Sequence, residues 1–158
     1  MIILGIDPGT ATTGYALIKK QKNNTLEILD FGVITTKKTL SDSARLVVLQ
    51  KDLQRLIKKY KPEVAGVEKL YFEKNAKTAM TVSQARGVVL WSLEQNDVPL
   101  REFTPLQVKS IICGYGKADK KQVQYMVQKS FGLKSLPKPD DAADALAIAL
   151  CAGLRKIA

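Results

Sequence analysis

Histidine is absent from all 158 residues. Its absence excludes Ser-His-Asp and Cys-His catalytic arrangements and every histidine-ligated zinc site. Cysteine is nearly absent as well. Cys113 and Cys151 stand far apart in no metal-ligand spacing, and are expected to be reduced, buried small hydrophobes. No apolar run approaches the ~20 residues of a bilayer span, and no basic n-region with a small-residue cleavage site opens the chain. The expected location is the cytoplasm. Acid–base or metal chemistry must rest on Asp, Glu, Lys or Tyr.

Charge is what the chain has in excess. Lys and Arg number 25 against 15 acids, a formal net charge of +10. A basic surface suits a polyanion, either nucleic acid or an acidic membrane face. No basic amphipathic helix with a Trp/Phe/Leu face stands out, so nucleic acid is favoured and no membrane partner is expected. Mere solubility would be served by the same charge. The length suits one ordinary domain, 1–158.

Apolar periodicity divides the chain. IILGI (2–6) is a buried-strand pattern ended by Pro8 and Gly9, with PGTATTG as a turn. YALIKK and LEILDFGVIT continue as strands with short connections, which favours an antiparallel meander. Leu46, Leu49, Leu53, Leu56, Ile57 and Tyr60 then recur at helical spacing, with Ser41 or Ser43 as cap and Pro62 beyond the end. A strand at EVAGVEKL, a long helix over 75–96 and a strand at VPLREF follow. The helix TPLQVKSIIC is capped by Thr104, and a Gly/Lys loop leads into KKQVQYMVQKSF. A last helix begins near Asp140. Hairpins followed by βα units predict one α/β domain, a five-stranded mixed sheet flanked by helices.

Four acids occupy comparable positions. Asp7 follows the first strand, Glu68 follows VAGV of the fourth, and Asp141 and Asp144 open the last helix three residues apart, on one face. If the first and fourth strands are parallel neighbours, Asp7 and Glu68 emerge at the same sheet edge. A helix laid against that edge brings all four together. Clustered carboxylates need a cation, and oxygen donors without histidine suit Mg²⁺. Two such ions about 4 Å apart clamp the attacking and leaving oxygens of a phosphodiester. Each acid alone also has a plain use: a turn at Asp7, a solvated strand end at Glu68, a helix cap at Asp140 and Asp141. Asp144 sits among alanines and Leu146, where a charge needs a reason.

The stretches ILGIDPGTATTGYALI, GVEKLYFEKNAKTAM, SQARGVV, QVKSIICGYGKADKKQVQ and DDAADALAIAL, in that order, are similar to the RuvC family of bacterial Holliday junction resolvases. The resemblance covers nearly the whole chain. It implies a ribonuclease H-like fold and a homodimer that nicks two strands of a four-way DNA junction symmetrically, in recombination and repair. It places the catalytic, metal-binding carboxylates at Asp7, Glu68, Asp141 and Asp144, with two Mg²⁺ per site for which Mn²⁺ can substitute. Asp140 is an extra acid beside the third. Tyr71 matches an aromatic residue that stacks on unpaired bases at the crossover, and Phe72 beside it could substitute. Such stacking is worth roughly 1–3 kcal/mol per base. Lys74, Lys109, Lys117, Lys120 and Lys121 are implied DNA contacts, although Lys117 matches a less basic position and Lys120 and Lys121 also suit a solvated helix face. The stripe Met80, Ala85, Val88, Val89 lies where the family dimerises; a monomer core could use it equally. Branch-migration proteins RuvA and RuvB are implied partners. Many relatives carry a histidine where this chain has Cys151 and Ala152.

Other functions remain open on sequence. GIDPGT also occurs in ATP-binding actin-like and sugar-kinase proteins, which need two such domains. A non-catalytic junction-binding protein, or a related nuclease acting on RNA or another branched DNA, would share most of these features.

Overall fold

Ile2–Asp7 forms β1, Thr12–Lys20 β2 and Leu26–Thr35 β3, joined as an antiparallel meander. The structure, a computed structural model, describes residues 1–69, 76–135 and 137–154. Helix α1 (Asp42–Tyr60) crosses to β4 (Val64–Glu68), and α2 (Ala76–Glu94) leads to β5 (Leu100–Phe103). Helices α3 (Pro105–Cys113), α4 (Lys120–Ser130) and α5 (Asp140–Leu154) complete the chain. The sheet order is β3-β2-β1-β4-β5, with β4 parallel to both β1 and β5. The mixed five-stranded sheet expected from the hairpin-then-βα pattern is the one observed.

Side chains alternate across a strand, and here the alternation sorts the core into two layers. Ile3, Ala16, Ile18 and Val64 face α5, with α3 and α4 packed beyond it. Leu4, Ile6, Leu17, Ala65 and Val67 face the opposite layer, which holds Leu49, Leu53 and Ile57 of α1 and Ala85, Val89 and Leu93 of α2. The same parity fixes the acids. Asp7 follows Ile3 and Gly5 on the α5 face, and Glu68 follows Val64 and Gly66 on that face. Helix α5 comes close because its contact positions are small. A Cβ on Gly5 would overlap the main chain of Ala145 and Ala149, and one on Gly66 would press on Ile148 and Ala152.

Local signals set the helix starts. Ser41 Oγ accepts from the Ala44 N–H at 3.3 Å and caps α1. Thr104 with Gln107, and Asp119 with Gln122, form reciprocal capping boxes at α3 and α4. The second box fixes Lys120 as the first residue of its helix.

Three details differ from the sequence reading. Strand β2 begins at Thr12 rather than Tyr15, because Thr12–Gly14 pair with Val33–Thr35 and Gly14 also pairs with Asp7. The stripe on α2 splits: Ala85 and Val89 are monomer core with Val88 packed against them, while Met80 is 72% exposed on another face. Cys113 is half-buried, whereas Cys151 is buried as expected. Among the described residues no helix is long and apolar enough to cross a membrane.

Candidate active site

Two carboxylates come from the sheet and two from the helix that covers it. Asp7 and Glu68 end adjacent parallel strands on the α5 face, at the carboxyl edge where α/β sheets place ligands. Their side chains share a hydrogen bond. Burial, then the charge of Glu68, then those of Asp144 and Asp141, push the Asp7 carboxyl up to about 8. Glu68 is also raised, chiefly by burial, with its hydrogen bond to Asp7 opposing. Burial and mutual repulsion thus favour a proton held between the two carboxyls when no cation is bound.

Helix α5 supplies the other pair from its first turns. Burial raises Asp144, and the ammonium of Lys120 works against that rise. Lys120 Nζ lies 3.1 Å from Asp144 Oδ2 and 3.2 Å from Asp140 Oδ2. Partial burial disfavours the Lys120 charge, but the hydrogen bonds and charges of Asp144 and Asp140 outweigh it and hold the ammonium above its usual range. The two acids at the start of the helix thus divide. Asp141 acts on Asp7, whereas Asp140, with a 69% exposed side chain, turns outward to Lys120.

A cleft of about 180 Å³ opens beside this cluster, lined by Glu68, Asp144, Lys109 and Lys120 over an apolar wall that includes Val108 and Ile148. Its lining brings two carboxylates and two lysines to one cleft. Lys109 and Lys120 therefore reach the site. Lys117 is exposed on the α3–α4 loop. Lys121 lines a separate cleft of about 410 Å³ with Tyr115, Tyr125 and Met126, since adjacent helix positions diverge by about 100°. Tyr71, Phe72 and Lys74 lie outside the described residues.

The donor set suits a hard divalent cation: all its ligand atoms are oxygens, and the clustered charge is otherwise relieved by a proton at Asp7 and Glu68 and by the Lys120 ammonium at Asp144. Among the described residues no three acidic side chains form a ready-made cage. Asp7 and Glu68 are instead tied to each other, and Asp144 to Lys120, so a cation would have to displace a proton and compete with an ammonium.

Lys120 as the partner of two acids was not legible from its place in a lysine run. The signal that could have found it is Asp119 with Gln122, a capping box that makes Lys120 the first helical residue.

The family model for "Crossover junction endodeoxyribonuclease RuvC" matches residues 3–152. A protein of that name from Fusobacterium nucleatum is 52% identical over 150 residues, covering 95% of this chain and 78% of the relative. One from Thermosipho melanesiensis is 51% identical, covering 96% of each. The Thermus thermophilus RuvC structure in complex with Holliday junction substrate superposes with a TM-score of 0.89 at 32% identity, covering 96% of this chain and 92% of that one. The sheet order and two helical layers are the ribonuclease H-like arrangement these resolvases share. The chain belongs to the RuvC family of crossover junction endodeoxyribonucleases.

Proposed function

We propose that this protein resolves four-way DNA junctions by metal-dependent phosphodiester hydrolysis, with Asp7, Glu68, Asp141 and Asp144 as its metal-binding carboxylates. The observation that carries the assignment is the convergence on Asp7, where three acids from two other elements raise its carboxyl. Family membership supplies the reaction class, and the solved relative with a bound Holliday junction supplies the substrate class.

Divalent-metal dependence follows from the family, and Mg²⁺, two ions per site with Mn²⁺ as substitute, is the reading the oxygen donors favour. When bound, the ions supply Lewis-acid stabilisation of the attacking and leaving oxygens. The chain's own residues do the rest. Asp7 and Glu68 present oxygens from rigid strand ends, and Asp141 and Asp144 present theirs from α5. Lys120, held between Asp140 and Asp144, would be free to turn toward a phosphate were Asp144 to hold a cation instead. Lys109 meets the backbone across the same cleft, while Lys117 and Lys121 serve the arms. Tyr71 or Phe72 stacks on opened bases with Lys74 beside them, on the resemblance.

One domain, 1–158, carries this activity in the cytoplasm. A homodimer matches two symmetric cuts. Its support is the exposed face of α2, where Met80 (72% exposed), Gly87 and Trp91 (53%) recur at helical spacing and a Cβ on Gly87 meets nothing within 4 Å. RuvA and RuvB are the proposed branch-migration partners. The test compares a synthetic four-way junction, a duplex, a fork and an RNA–DNA hybrid in Mg²⁺. Preferential cleavage of the junction is expected, and equal cleavage of duplex or hybrid would contradict the reading.

A further inference from the structure

Helix α2 carries a single charged residue between Lys77 and Glu94, and that residue is Arg86. It is half-buried and spans two strands. Its Nε donates to the main-chain oxygen of Glu68 at 3.3 Å, and its Nη2 is paired with Glu102 Oε1 on β5. Lys69 approaches the other oxygen of Glu102 at 3.9 Å. Glu68 lies one residue past the last β1–β4 pair, Ile6↔Val67, so at this residue the strand is held by β5 alone, through Phe103. There the main chain takes a donor from a helix side chain.

We infer that Arg86 is a positioning residue for Glu68: clamped by Glu102, it fixes the main chain at the end of β4 and so sets where the Glu68 carboxylate presents its oxygens. The inference rests on Glu68 being a metal-binding carboxylate. Arg86 acts through geometry rather than charge. Glu102 neutralises the guanidinium. The planar fork suits two acceptors set apart, one a carbonyl and one a carboxylate, which a lysine cannot meet together. Helix α2 holds the other side of the site in a similar way: the Thr10 hydroxyl, in the loop after Asp7, donates to the Thr81 carbonyl at 2.6 Å.

The experiment titrates the DNA-free full chain with MnCl₂ by calorimetry. Groups that orient metal ligands typically contribute about 10–100-fold to metal affinity. Arg86→Met is expected to weaken Mn²⁺ binding about tenfold, with junction affinity in chelator unchanged because Arg86 is not placed to touch phosphate. Glu102→Gln, which keeps an accepting oxygen, is expected to retain most of the affinity, and Glu102→Ala to behave like Arg86→Met. If Arg86→Met does not fold by circular dichroism, Arg86→Lys keeps a charge for Glu102 and is expected to fold while still losing Mn²⁺ affinity. Wild-type affinity in a folded Arg86→Met or Arg86→Lys would overturn the positioning role alone. A wild-type chain that binds no Mn²⁺ would overturn the carboxylate site and this role with it.

Discussion

Gly14 lies directly beneath the main chain of Asp141. A methyl group on Gly14 would overlap the Asp141 carbonyl, and Gly14 is itself the ladder partner of Asp7. One glycine therefore sets how near the start of α5 comes to the end of β1. Gly14→Ala should lift that end of the helix. We expect a loss of about 1–3 kcal/mol in urea unfolding, the usual cost of overpacking, together with a fall in cleavage larger than the unfolded fraction explains.

The raised Asp7 carboxyl makes the metal-free protein pH-sensitive. Below its ordinary value of 3.8 the group is protonated in both folded and unfolded chains. Between there and about 8 the unfolded chain ionises while the folded protein keeps the proton. The unfolded state then binds fewer protons, so stability falls as pH rises across this window. Thermal melts in chelator from pH 4.5 to 8.5 should show that decline, and Asp7→Asn should flatten it. Mg²⁺ should reverse the decline near pH 7, because a bound cation stabilises the folded state and releases the proton.

Much of this arrangement was legible in the sequence, for identifiable reasons. The run IILGI and the block VAGV are short and strongly apolar, so their strands were plain, and the acid at the end of each followed. The alternation that puts Asp7 and Glu68 on the α5 face needs only strand parity and a parallel pairing. Asp144 announced itself as a charge among alanines. What could not be read is contact between distant segments. Nothing near Gly14 in sequence says that α5 rests on it. Nothing in the lysine run says that Lys120, rather than Lys121, turns to Asp144. The α2 stripe stayed open because small apolar residues serve a monomer core and a dimer face equally, and only the packing separates Ala85 and Val89 from Met80.

Lys120 offers a second test on the site. Lys120→Met removes the cation that restrains Asp144, so the Asp144 carboxyl should rise further and hold its proton more tightly. Cleavage at saturating junction should drop about 10–100-fold, the usual range for groups that support metal ligands. Lys121→Met, on the far cleft, should leave turnover nearly unchanged and weaken junction binding at low salt only slightly. Single-turnover rates against Mg²⁺ concentration separate the two.

The exposed face of α2 gives a test of assembly. Trp91 is 53% exposed and contributes little to the monomer core. Trp91→Glu should convert a dimer to a monomer in sedimentation velocity while circular dichroism stays unchanged. Paired nicking of one junction should become single, uncoupled nicking.

The most direct test of the four-carboxylate site is Asp7→Asn on a synthetic four-way junction, with binding and nick positions measured on the same preparation. Wild-type junction affinity is expected in the variant. Paired, symmetric nicks are expected from the wild-type protein only when Mg²⁺ is present, and none from the variant. Nicking by Asp7→Asn at the wild-type rate would contradict the four-carboxylate site.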